Sequence, residues 1–203
     1  MGHLPRFPHK KFPFFSLRSD LQSVVRFVCL LCLAISPAWG QSLVDTDKPL
    51  SDSELAVSTV VWGIVGYTRW PEKHDNHLKV CIVGHSDNIE IHKRTAGFIA
   101  PARQATVEEL LPKHLGEAQC DVVIVGRLDD AEREHILGIL TGKPVLTIGE
   151  QSAFCSAGGM FCLEKMAKGL LFEANLDAIG RSTLKINPQV LLLSKKVAAQ
   201  REP

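Results

Sequence analysis

Long apolar runs, an excess of charge of one sign and glycine-rich nucleotide signatures are all missing from this 203-residue chain, and each absence removes a class of function. Formal net charge is +1, from 23 basic against 22 acidic residues. No broad electrostatic field therefore argues for nucleic acid or an anionic membrane as the partner. The apolar run Phe27-Val28-Cys29-Leu30-Leu31-Cys32-Leu33-Ala34-Ile35 stops at nine residues, well short of the roughly 20 that a bilayer-spanning helix needs. Neither a G-x-G-x-x-G fingerprint nor a P-loop occurs, so the α/β pattern carries no phosphate-binding signature. The serine in Gly84-His85-Ser86-Asp87-Asn88 lacks the second glycine of a nucleophile elbow, and the segment reads as a strand-to-helix turn. His74-Asp75-Asn76-His77 offers two imidazoles without an evident third ligand, which is a solvated loop before it is a metal site. Asp129 and Asp130 are explained as helix-capping acids. No catalytic residue, metal or cofactor is expected.

What is present begins with a leader. Arg6, Lys10, Lys11, Arg18 and Arg26 form a basic region ahead of the short apolar run; Pro37 breaks it, and Ala38-Trp39-Gly40 provides small residues at a cleavage site before Gln41. Residues 1–40 are read as a secretory signal peptide, 41–50 as a loose mature N-terminus, 51–196 as one domain and 197–203 as a tail. The mature chain has roughly 160 residues, enough to bury about 70% of its unfolded surface in one core. Export from a two-membrane bacterium would place it in the periplasm. The C-x-x-C formed by Cys29 and Cys32 departs with the leader, leaving Cys81, Cys120, Cys155 and Cys162. An even number in an oxidising compartment favours disulfides. Of the three possible connectivities, Cys155 with Cys162 and Cys81 with Cys120 is chosen, because Ser156-Ala157-Gly158-Gly159-Met160-Phe161 is a small, glycine-bearing segment able to fold back.

The periodicities predict a helix from Asp52 to Arg69, opened by the capping box Ser51-x-x-Glu54 and stopped at Trp70-Pro71. Strands are expected over Leu78 to Val83, Gln104 to Val107, Asp121 to Gly126 and Pro144 to Gly149. Helices are expected around Asp87 to Phe98 and from Asp129 or Asp130 to Gly142. Alternation of this kind implies a parallel sheet covered by helices. Cys155 to Glu173 reads as a hairpin, followed by a short helix from Leu176 to Ser182 and an apolar segment around Pro188. The fold class is α/β: a three-layer domain with a mostly parallel central sheet and an appended C-terminal hairpin. A bridge beside Phe161 would fix that aromatic, with Phe172, Glu173 and Ile179 nearby. They compose either an acid-rimmed apolar patch suited to protein binding or plain core.

Several segments resemble one family. Val65-Gly66-Tyr67-Thr68-Arg69-Trp70-Pro71, Val80-Cys81-Ile82, Gly159-Met160-Phe161-Cys162-Leu163, Phe172-Glu173-Ala174-Asn175-Leu176-Asp177, Arg181-Ser182 and Ile186-Asn187-Pro188-Gln189-Val190-Leu191 are similar to the YfiR family and occur in its order. The resemblance implies a periplasmic repressor that binds the sensing domain of YfiN, an inner-membrane diguanylate cyclase, and is sequestered by YfiB, an outer-membrane lipoprotein. Its output would be cyclic di-GMP, and through it exopolysaccharide and biofilm. The resemblance also implies the same two disulfides and assigns partner recognition to Phe161, Glu173 and Ile179. Thr183 departs from the pattern, standing where relatives carry glycine.

The expected mechanism is binding without turnover, with disulfide reduction as a release switch and a homodimer as a possible assembly. The alternative from another class is a small-molecule sensor using the crevice at the carboxyl ends of the strands, near Gly84 and Gly126. A thiol oxidoreductase is disfavoured by the wide Cys155–Cys162 spacing.

Overall fold

The computed structural model describes residues 49–71, 76–98, 103–166 and 169–193, all within one compact unit. The leader, most of the expected N-terminal segment, His74 with Asp75 and the tail lie outside the described residues.

Helix α1, Asp52–Tyr67, starts where its capping box predicts: the Ser51 side chain accepts from the Glu54 N–H while the Glu54 carboxylate accepts from the Ser51 N–H. Five of its residues are valine or isoleucine, poor intrinsic helix formers, and tertiary packing overrides that preference. Val60, Val61, Ile64 and Val65 have no exposed surface at all. The helix ends two residues before the expected Arg69. Thr68 turns extended, its hydroxyl donates to the Ile64 carbonyl, and strand β1, Thr68–Arg69, pairs antiparallel with Lys185–Ile186 near the C-terminus. That long-range pairing is invisible to local periodicity.

The central sheet is assembled from β2 (His77–Val83), β3 (Gln104–Leu110), β4 (Val122–Val125), β5 (Leu146–Gly149), β6 (Phe161–Met166) and β7 (Gly169–Ala174). Their spatial order is β3-β2-β4-β5-β6-β7; the first five run parallel and β7 returns antiparallel. β4 and β5 are buried at every position, as strands covered on both faces must be. One face carries Val80, Ile82, Val122, Ile124, Leu146, Ile148, Phe161 and Leu163 against α1 and against α2 (Ile89–Thr95). The other carries Cys81, Val83, Val123, Val125 and Cys162 against α3 (Asp130–Leu140) and α4 (Ala153–Ser156). This is the expected three-layer α/β architecture. The C-terminal hairpin is joined to the edge of that sheet: β6 hydrogen-bonds to β5, and β7 pairs with β6. The hairpin also begins only at Phe161, because Cys155 lies in α4.

Asp129 caps α3 in a second capping box with Glu132. Beyond β7, Asn175 caps α5, Leu176–Gly180, by accepting from the Ala178 N–H. Strand β8, Lys185–Ile186, and a 3-10 turn over Pro188–Leu192 then bring Leu193 against α1. A Cβ on Gly63 would meet the Leu193 side chain at 2.7 Å, so the helix and the C-terminal segment approach through a glycine.

Candidate functional site

The cysteines are joined as Cys81–Cys120 and Cys155–Cys162, with Cα atoms 5.9 and 5.8 Å apart. The first bridge ties the middle of β2 to the turn that enters β4. The second ties α4 to the start of β6, so it clamps the helix-to-strand connection ahead of the hairpin and not the hairpin's two arms. Gly158 makes this connection possible with φ at +116°. Gly159 has a different reason: a Cβ there would sit 2.1 Å from the Phe154 ring. Cys155 and Cys162 are both buried.

The bridge positions Phe161 by holding its neighbour. Phe161 has no exposed surface; its ring packs 6.1 Å from that of Phe172 at a tilt of 54°. Ile179, half-buried on α5, packs against the same core. Glu173 pairs in register with Cys162 and is exposed; since neighbouring strand residues alternate faces, it projects opposite to Phe172 and Phe161. Phe161 and Ile179 thus belong to one core, and Glu173 lies on the other face of the strand pair. In this conformation the Phe161 ring lies in the core against Phe172, which is half-buried. Ile179 also lines an open groove of about 680 Å³ with Tyr67, Arg69, Lys185, Asn187 and Pro188. Thr183 is exposed, and among the described residues every positive φ belongs to a glycine, so the turn there accepts threonine.

The expected ligand crevice at Gly84 and Gly126 is filled by the protein's own backbone. His85 and Arg127 exchange N–H to carbonyl bonds of 3.1 and 2.8 Å across it. A Cβ on Gly126 would meet the His85 carbonyl oxygen at 2.5 Å. Outside it, Arg127 grips Asp87 through two hydrogen bonds, which hold the Asp87 carboxyl down to about 2.

Sequence reading missed a buried polar knot beside this point. Glu150, just past β5, accepts on one oxygen from the Ser86 hydroxyl at 2.8 Å and the Asn88 amide at 2.8 Å, with His92 Nε2 at 3.4 Å. Burial pushes the Glu150 carboxyl up, but the bonds from His92, Asn88 and Ser86 together outweigh it and leave the group below its ordinary value. The knot joins the ends of two strands to α2, and its residues come from positions 86, 88, 92 and 150, a spread that no spacing rule detects. The Ser86 hydroxyl donates to the carboxylate and not to the His92 imidazole, so the three side chains do not form a serine–histidine–acid relay. Asp129 and Asp130 serve α3, the second in a pair with Arg133. Among the described residues no group of three metal-ligating side chains occurs, and no helix is long and apolar enough to cross a membrane.

Among solved structures, the crystal structure of an alanine–glyoxylate aminotransferase from Nostoc sp. is similar at 10% identity and a TM-score of 0.41, over 74% of this chain and 47% of that one. The present chain spans about half of that enzyme's length, and a superposition this loose carries no functional weight. The match to a family is of another order: residues 56–195, from within α1 to just past the last described turn, fit the YfiR/HmsC-like family, to which this chain belongs.

Proposed function

We propose that this protein is a periplasmic negative regulator that works by binding. It would occupy the periplasmic sensing domain of a YfiN-like inner-membrane diguanylate cyclase and hold that enzyme inactive, lowering cyclic di-GMP and the exopolysaccharide and biofilm that follow from it. A YfiB-like outer-membrane lipoprotein would relieve repression by sequestering it. The observation that carries the reading is the family match over 56–195. The bridged α4–β6 connection supports it by holding Phe161, and through it Phe172, beside the exposed Glu173.

The Cys155–Cys162 bridge is the proposed switch. A periplasmic dithiol donating two electrons and two protons would yield two thiols here and a disulfide in the reductant. Releasing so short a loop forfeits about 2.5 kcal/mol of chain-entropy stabilisation, and frees α4 from the strand that carries Phe161. Cys155→Ser and Cys162→Ser are each expected to raise cyclic di-GMP in cells; a folded, abundant variant with wild-type levels would refute the switch. Pull-down of the mature chain with the cyclase sensing domain, oxidised and then reduced, tests the whole reading. Capture lost on reduction supports a disulfide-gated repressor, whereas no capture in either state removes the proposed function.

A further inference from the structure

We propose that β7 is a docking edge, on which the partner adds an extended segment, apolar and basic in composition, as a seventh strand. This rests on the binding reading above for the partner's identity, and on the sheet itself for the mode. Among the described residues the sheet order ends at β7. The Asn175 N–H donates to the Met160 carbonyl, and with the register Cys162↔Glu173 and Glu164↔Leu171 the antiparallel alternation directs the peptide groups of Leu171 and Glu173 inward to β6. Those of Leu170, Phe172 and Ala174 then face outward, a row of donors and acceptors about 6.8 Å apart that fits an incoming strand. The opposite edge is guarded: on β3, Glu108 pairs with Lys79 and Glu109 with Lys93, each at 2.7 Å. β7 has no lysine, arginine or proline.

The chemistry of the occupant follows from the face beside that edge. Met166 and Leu171 are 50% and 42% exposed, and the exposed Glu164 and Glu173 lie among them on the same side of the strand pair. Among the described residues neither acid has an ion-pair partner. Because neighbouring side chains alternate faces, a strand alternating apolar with lysine or arginine residues would set its apolar side chains beside Phe172 and Ala174 on one face, and on the other its cations beside Glu173 with their aliphatic stems over Leu171. A second copy of this chain would lay the same two acids along the patch, which is why a basic partner segment is the favoured occupant.

The test uses the full mature chain with two probes, the cyclase sensing domain and an octapeptide alternating valine and lysine, and reads amide hydrogen exchange residue by residue. Exchange at Leu170, Phe172 and Ala174 is expected to slow by about tenfold or more on binding, while Leu171 and Glu173 are slow already. Ala174→Pro removes one outward N–H at an edge position that tolerates proline, and with an unchanged Tm it is expected to lose most binding; Glu173→Lys should weaken it further. Cyclase binding without protection of these amides, or undiminished binding by folded Ala174→Pro, overturns the edge and leaves the regulator reading standing. Protection by the peptide with no cyclase binding supports the edge and removes that reading. Binding of neither probe overturns both, and protection that instead grows with the chain's own concentration assigns the edge to a second copy and overturns the proposed occupant.

Discussion

Two polar side chains are sealed in the core with their hydrogen bonds made. The Trp62 indole N–H donates to Thr95 Oγ1 at 2.7 Å, and that hydroxyl donates to the Ile91 carbonyl, all within the core. Thr95→Val keeps the volume and orphans the indole, so it is expected to cost about 2 kcal/mol as read by the urea midpoint. Gly159→Ala would drive a Cβ into the buried Phe154 ring and is expected to cost about 3 kcal/mol; a near-neutral result would show that α4 can shift. The Glu150 knot sets a pH dependence whose sign follows from its lowered pKa. A carboxyl held below its ordinary value of 4.5 contributes stability above that pH and loses it as pH falls through its folded value. Stability is therefore expected to be level from neutrality to about pH 5 and to decline below it, with a shallower decline in Glu150→Gln. Asp87, lowered from 3.8 to about 2 by Arg127, acts in the same direction at still lower pH. Of these residues, Ser86 and Asn88 were legible as a turn, yet their bonds to Glu150 were not, because 64 and 62 positions respectively separate them from it.

Elements that announce themselves locally were read closely from sequence. The capping box of Ser51 with Glu54 and the capping acid at Asp129 or Asp130, which the structure resolves as Asp129, are short local signatures, and Ser51→Ala is expected to cost about 1 kcal/mol by thermal melt. The β-branched runs of β2, β4 and β5 announced themselves equally. Elements completed by distant partners were misjudged. β3 runs to Leu110 and not Val107, since pairing with β2 extends it beyond its apolar residues. The end of α1 is set by β8, and the turn holding Cys155 is helical because it packs Phe154 beneath Gly149 and Gly159.

For the whole molecule, the two bridges differ in reach. Cys81–Cys120 spans 39 positions and Cys155–Cys162 spans 7, so loop entropy assigns about 4 kcal/mol to the first and about 2.5 kcal/mol to the second. Cys81→Ala/Cys120→Ala is thus expected to lower the urea midpoint more than Cys155→Ala/Cys162→Ala, and the shorter bridge to matter more for partner binding. Equal effects on binding would argue that reduction acts through global stability and not through the α4–β6 connection.

The α/β class, the order of the sheet-forming runs, the capped starts of α1 and α3 and the family resemblance were determined by sequence alone, because each depends on neighbours within a few residues or on contiguous motifs. Only the tertiary structure decided that Phe161 is core, that the hairpin joins the edge of the central sheet, that backbone fills the Gly84–Gly126 crevice and that Glu150 gathers three donors. Each of these depends on which side of a strand meets which distant segment, and that choice is made by the free energy of packing the whole sheet, where burial and long-range pairing outweigh local preference.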